Sequence, residues 1–298
     1  MSTEIGDDTN IKSTGGIEYH GMWSDALVNL IHNKLAAAGG IIILLIVVVA
    51  IFAPLIVHVS PNEQNYDAIL EPPSLSHPMG TDNLGRDTFS RLLYGARVSL
   101  AVGIFTQLIV LIIGLPIGAF SGYAGGRTDN IMMRFVDVMY AFPDILLIIL
   151  LRAVLGGSIY MIFLAIGLVA WVNVARLVRG QILSLKQRDF VTATQAMGGT
   201  GRYITLRHLL PNSLGPVIVA VTFNVPRAIF AEAALSYIGI GVKPPTPSWG
   251  TMIRDGYEVI FAAPHLIAFP AIAIAILMLA FTFLGDGLRD ALDPRLRR

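Results

Sequence analysis

The sequence predicts an all-α fold, a bundle of six transmembrane helices with both termini in the cytoplasm. Three observations carry that prediction. Hydrophobic residues make up 54% of the 298 residues and charged residues only 14%, with a mean hydropathy of +0.68, whereas soluble domains carry about 25% charged residues. A single soluble core of this length could not bury so much apolar surface, so a bilayer is the better solvent for it. The apolar residues gather into runs long enough to cross a bilayer, about 20 residues each. The cations, finally, are divided unevenly between the loops.

The first run is Leu35 to Val59, uncharged between Lys34 and Glu63. The second is the uncharged stretch Val98 to Gly126. The third, Phe135 to Leu155, is the weakest, since it contains Asp137, Asp144 and Arg152. The fourth covers Ile159 to Ala175, the fifth Leu214 to Ile238 and the sixth Ile260 to Gly285. With six crossings and a cytoplasmic start, fourteen Lys and Arg lie inside and five outside, as the positive-inside rule requires. If the third run did not cross, the loop rich in cations and the C-terminal cluster would lie on opposite sides. The chain thus divides into a cytoplasmic segment (1–34), the first span with an extracytoplasmic loop (35–96), a five-span core (97–288) and a cytoplasmic tail (289–298).

Before the first span, Trp23, Leu27, Leu30 and Ile31 recur at helical spacing, which suits an interfacial helix on the lipid headgroups or a polar extension of the span. No cleavable signal peptide is expected. The absence of cysteine excludes disulfides and thiolate metal sites. A net charge of +1 gives no reason to expect nucleic acid as a partner.

Gly114, Gly118, Gly122 and Gly126 repeat every four residues, a strip on which another helix can lie closely; plain packing is the first reading and gating the sharper one. Pro116, Pro143, Pro226 and Pro270 are each expected to interrupt a span. Intramembrane ionisable groups need a partner or water. Arg227 and Glu232 in span five therefore either face an aqueous pathway or pair within the protein, while Arg152 is placed to snorkel outward. Asp137 and Asp144, seven residues apart on one presumed helix, would share a face, but nothing completes a proton relay. Asp286, Arg289, Asp290 and Asp293 read as local ion pairs at the end of span six.

The loop 186–212 between spans four and five is the most informative segment. A short helix from about Asp189 to Met197 is broken by Gly198 and Gly199, and a second amphipathic stretch leads through Arg207 to Pro211. Small residues Ala193 and Ala196 would let the first helix sit in a partner's groove, though an ordinary basic loop near anionic lipid has the same periodicity.

This loop resembles the EAA loop of binding-protein-dependent ABC transporter permeases. Thr192, Ala193 and Thr194 occupy the three namesake positions, threonine replacing the glutamate and the second alanine, and Gly198, Leu210 and Pro211 fit the remaining pattern. The stretches His77–Asp87 and Ser90–Leu100, Pro244–Gly250 and Gly285–Pro294 are similar to segments of the C-type permease of oligopeptide and dipeptide importers. The resemblance implies a type I ABC importer permease core of the bacterial or archaeal inner membrane, paired with a second homologous permease. It implies cytoplasmic P-loop ATPase subunits that carry ATP and Mg, with no cofactor on this chain, and an extracytoplasmic substrate-binding protein. Asp189, Phe190, Thr192, Ala193, Thr194, Ala196, Met197, Gly198, Leu210 and Pro211 would couple to the ATPase. Asp82, Arg86, Asp87 and Trp249 are docking candidates for the binding protein. Peptide is the expected cargo, with nickel complexes or oligosaccharides as alternatives.

The chain has no Gly-Lys pair, so it lacks a P-loop and is not expected to be an enzyme. A stand-alone secondary transporter would show inverted repeats, and none is evident. A membrane enzyme would need a site that six scattered histidines do not form.

Overall fold

A computed structural model describes residues 22–292, with side chains from residue 27 onward. Among these residues the regular structure is helical, apart from one isolated bridge between Thr81 and Asp87. The helices are α1 (Met22–His32), α2 (Lys34–Ile56), α3 (Thr88–Ala124), α4 (Gly126–Ala141), α5 (Asp144–Leu155), α6 (Ile159–Lys186), α7 (Asp189–Ala196), α8 (Gly201–Ile204), α9 (Leu210–Tyr237), α10 (Trp249–Tyr257) and α11 (His265–Leu292). A π-helical turn, Thr205–Leu209, joins α8 to α9, so the amphipathic stretch before span five continues into it.

Five of these helical segments are long and apolar enough to cross a membrane, and α4 with α5 forms a sixth candidate bent by 90°. The third run is therefore a broken element, not one helix. Its two ends decide its course. Asp129 of α4 pairs with Arg179 near the C-terminal end of α6, whereas Arg152 of α5 bonds to the loop after α9. The pair thus links the two ends of the bundle. α5 alone, twelve residues or about 18 Å, is too short for a hydrocarbon core of about 30 Å. The break falls at Pro143, which cannot donate a backbone hydrogen bond and disfavours helix at the residue before it. Pro116, Pro226 and Pro270 behave otherwise: their helices pass through them unbroken.

Packing follows membrane rules. α2 buries Ala36, Gly39, Ala50 and Ala53 and turns Leu44, Leu45, Ile51 and Leu55 outward. Small residues inside and large apolar residues outside are what a lipid solvent selects. A Cβ on Gly114 would meet the Trp171 carbonyl oxygen at 2.8 Å and one on Gly122 the Arg179 carbonyl oxygen at 2.9 Å; Gly118 faces Ala175 in the same way. The glycine strip is accordingly the seam between α3 and α6. Gly126 lies outside it, beyond the end of α3, with a φ of +55°.

Near the N-terminus, α1 places Leu30 against Gly287 of α11, and Leu27 and Ile31 are exposed. The Trp23 side chain lies outside the described side chains, and the tail from Asp293 outside the described residues.

Candidate functional site

At one end of the bundle, α7 stands out from the helices that carry it. Val191 is buried and anchors it, while Asp189, Phe190, Thr192, Ala193, Ala196 and Met197 are exposed. Asp189 sits in the first turn, where a carboxylate offsets the positive end of the helix. Met197 caps the C-terminus and is 81% exposed, a large apolar side chain held out at a helix end. Gly198 follows with a φ of +84°, in the left-handed region where a side chain is strained. Gly199 then passes within 2.8 Å of the Thr194 carbonyl oxygen, measured from where a Cβ would be.

The return from α7 is fastened by aromatic and cationic contacts. His208 lies between Phe190 and Tyr203, with ring centroids at 6.3 and 5.5 Å. Thr200 caps α8 by accepting from the Tyr203 amide. Lys186 donates to the Tyr123 carbonyl oxygen at 2.6 Å and lies over its ring, tying the ends of α3 and α6 together. Leu210 and Pro211 open α9 directly after the π-helical turn, into which the proline, lacking an amide hydrogen, cannot donate. Beside the loop, a cavity of about 750 Å³ lies between α6, α9 and α11, with Gln181, Arg188, Phe223 and Arg289 on its wall.

The opposite end is built in the reverse manner. Asp82, Arg86 and Asp87 are 5%, 6% and 5% exposed and Trp249 is 2% exposed. Arg86 donates to Asp82 at 2.7 Å and to Asp255 at 3.1 Å, and Arg91 reaches the same two carboxylates at 3.3 and 3.2 Å. Burial pushes the Asp255 carboxyl above its usual range, and Arg91 and Arg86 pull it back. Asp87 caps α3 by accepting from the Ser90 amide at 2.7 Å, and it bonds to His77. Trp249 donates from its indole to the Leu92 carbonyl oxygen at 3.0 Å. The four residues read as docking candidates thus turn inward and clamp the segment before α3 onto α10.

Within the spans the structure separates Arg227 from Glu232. Glu232 is completely buried and accepts from Ser236 at 2.6 Å and from Ser248 at 2.7 Å, so it ties α9 to the start of α10. Arg227 is exposed on a cavity of about 220 Å³ shared with Gln107, Asp144, Asn173 and Asn224. Arg152 does not snorkel. It is 5% exposed and donates to the carbonyl oxygens of Gly156, Ser158, Ile240 and Gly241, closing the end of α5 onto the loop after α9. Asp137 and Asp144 lie on different helices across the bend, and Asp137 pairs with Arg176 at 2.6 Å. Gln107, Asn173 and Asn224 carry no charge and so do not stand out beside the ionisable groups of the spans; a lone carboxamide in each of three apolar runs is the signal that marks them.

Among the described residues no cluster of His, Asp and Glu could hold a metal ion. Asp286, Arg289 and Asp290 form no ion pair with one another, which removes that part of the expected C-terminal ion pairs.

Residues 114–298 match the model of the binding-protein-dependent transport system inner membrane component. The chain belongs to that family. Residues 21–73 of this permease also match the N-terminal transmembrane domain of oligopeptide transport permease C. The permease is 45% identical to the oligopeptide transport system permease protein OppC of Bacillus subtilis over 277 residues, 93% of this chain and 91% of that one. It is 45% identical to DppC, the dipeptide transport system permease protein of the same organism, over 92% of this chain and 86% of that one. GsiD, the glutathione transport system permease protein of Escherichia coli, is 43% identical over 84% and 82%. In fold, the permease is similar to a chain of the inward-facing MetNI methionine ABC transporter, with a TM-score of 0.53, 20% identity, and coverage of 69% of this chain and 97% of that one.

Proposed function

We propose that this permease is one of two pore-forming subunits of an ATP-driven, binding-protein-dependent importer of di- or oligopeptides. Both termini lie in the cytoplasm. α7 is the coupling helix, seated in a groove of a cytoplasmic P-loop ATPase subunit that binds ATP and Mg. The second permease completes the pathway, and an extracytoplasmic binding protein delivers peptide to the end that carries α10. The observation that carries this reading is α7 itself: a short helix exposed on most of its surface, ending in Met197 and a left-handed glycine. A groove-bound helix needs apolar contact area held outward, and a plain lipid-facing basic loop does not need that termination. The relatives named for oligopeptide, dipeptide and glutathione transport support peptide as cargo.

The mechanism follows from linkage. Nucleotide can drive transport only if the complex has two conformations that bind it with different affinity, and contact at α7 transmits that difference to α6 and α9. Lys186 and Tyr123 carry the motion into α3. Affinity purification of the tagged chain from native membranes, with mass spectrometry and peptide uptake, tests the proposal. Recovery of a second permease and P-loop ATPases, with uptake abolished by deleting this chain, is the expected result. A chain that purifies alone under conditions preserving comparable complexes overturns it.

A further inference from the structure

The cavity of about 220 Å³ between α3, α5, α6 and α9 joins five polar side chains at membrane depth. Asn224 and Arg227 lie three residues apart on α9, hence on one face. Asp144 stands in the first turn of α5, Asn173 comes from α6 and Gln107 from α3. Gln107 is 4% exposed, and neither its Nε2 nor its Oε1 has a hydrogen-bond partner among the described residues. A buried carboxamide with both ends unpaired is costly to hold. Asp144 and Arg227 share the cavity yet form no ion pair, with each other or with any other described residue.

A cluster kept only for packing would close its charges on each other, because isolated ionic groups inside a membrane are expensive. Here the opposite charges share the wall with three carboxamides and close no ion pair. Each carboxamide offers both donors and an acceptor, the complement of a peptide group, and a guanidinium matches a carboxylate with two parallel hydrogen bonds. The volume lies below the roughly 300–1,000 Å³ of drug-sized pockets and the cavity is open on one side, so a dipeptide is the occupant it suits best. We infer that this cavity is a transient substrate site of the permease itself for a short zwitterionic peptide, Arg227 taking the α-carboxylate and Asp144 the α-ammonium, with Gln107, Asn173 and Asn224 on the peptide group. The inference rests on the proposed peptide cargo and adds the chemistry by which the pathway reads its termini.

The test uses the complete transport complex in nanodiscs, without binding protein, and three probes: radiolabelled alanyl-alanine, its C-terminal amide and its N-acetyl derivative. Alanyl-alanine should bind at least about tenfold tighter than either blocked form, a difference worth about 1.4 kcal/mol. Arg227→Gln should erase discrimination against the amide and keep that against the acetyl form. Asp144→Asn should do the reverse, and Arg227→Lys should retain a preference for the free acid, which decides the carboxylate arm if Arg227→Gln does not assemble. Absence of saturable binding, or an equal loss for all three probes in each variant, overturns the inference. ATP-dependent dipeptide uptake with binding protein restored separates the two levels: uptake without cavity binding sinks this site alone, whereas no uptake of any peptide sinks the cargo reading as well.

Discussion

The two ends of this bundle use polar and apolar residues in opposite ways. At the end carrying α7, Phe190 and Met197 are turned outward, and the helix is anchored through Val191. At the end carrying α10, two arginines, two aspartates and a tryptophan are turned inward into a bonded clamp. A segment rich in charge therefore need not present that charge outward, and a short helix can hold out apolar area that the fold could have buried.

The largest effect that sharpens this contrast should come from Arg91→Ala. Removing Arg91 leaves Asp82 and Asp255 with Arg86 alone, one charge short. That costs less than the roughly 3–5 kcal/mol of a fully stranded buried charge, but the purified protein should still show a clear loss of thermal stability. An unchanged melting temperature would break the clamp side of the comparison. Gly118→Val should come next, because its side chain would press on the Ala175 backbone and part α3 from α6. The expected readout is loss of monodisperse protein, with Gly125→Ala, where a Cβ meets open space, much milder despite its positive φ. At α7, Gly198→Val should cost about 1–3 kcal/mol of local strain and reduce uptake at least tenfold, with membrane insertion intact. Gly198→Asn should be gentler, since asparagine tolerates that backbone region. Normal uptake in the valine variant would remove α7 from the mechanism. Smallest of all, Thr192→Ala should change the stability of the purified chain by no more than about 0.5 kcal/mol, as an exposed position on α7.

The sequence showed the spans well because hydropathy is local: α2, α6, α9 and α11 begin or end within a few residues of the apolar runs, apart from polar extensions at one end. α7 was legible for the same reason, since glycine punctuation marks a helix end wherever it falls. The break at Pro143 was legible as one of four prolines expected to interrupt a span. That it alone breaks its helix, and by 90°, was not, because Pro116, Pro226 and Pro270 look the same in sequence and sit inside unbroken helices. The clamp was illegible for a different reason. Arg86 and Asp255 are 169 residues apart, and Glu232 meets Ser248 from another helix, so only the assembled bundle decides which polar groups are satisfied. Arg227 could be flagged from its depth, but Gln107 and Asn173, its neighbours on the cavity, come from other helices.

The most direct test of the account exploits the absence of cysteine. Met197→Cys carries a photoreactive label at the exposed end of α7, and Tyr257→Cys, 56% exposed in the wild type at the end carrying α10, carries it on the other side. Illumination of native membranes should join the label at position 197 to a P-loop ATPase subunit and leave the label at 257 without that product. An ATPase adduct at 257, or none at 197 in a complex that still imports peptide, would contradict the assignment of α7 as the coupling helix.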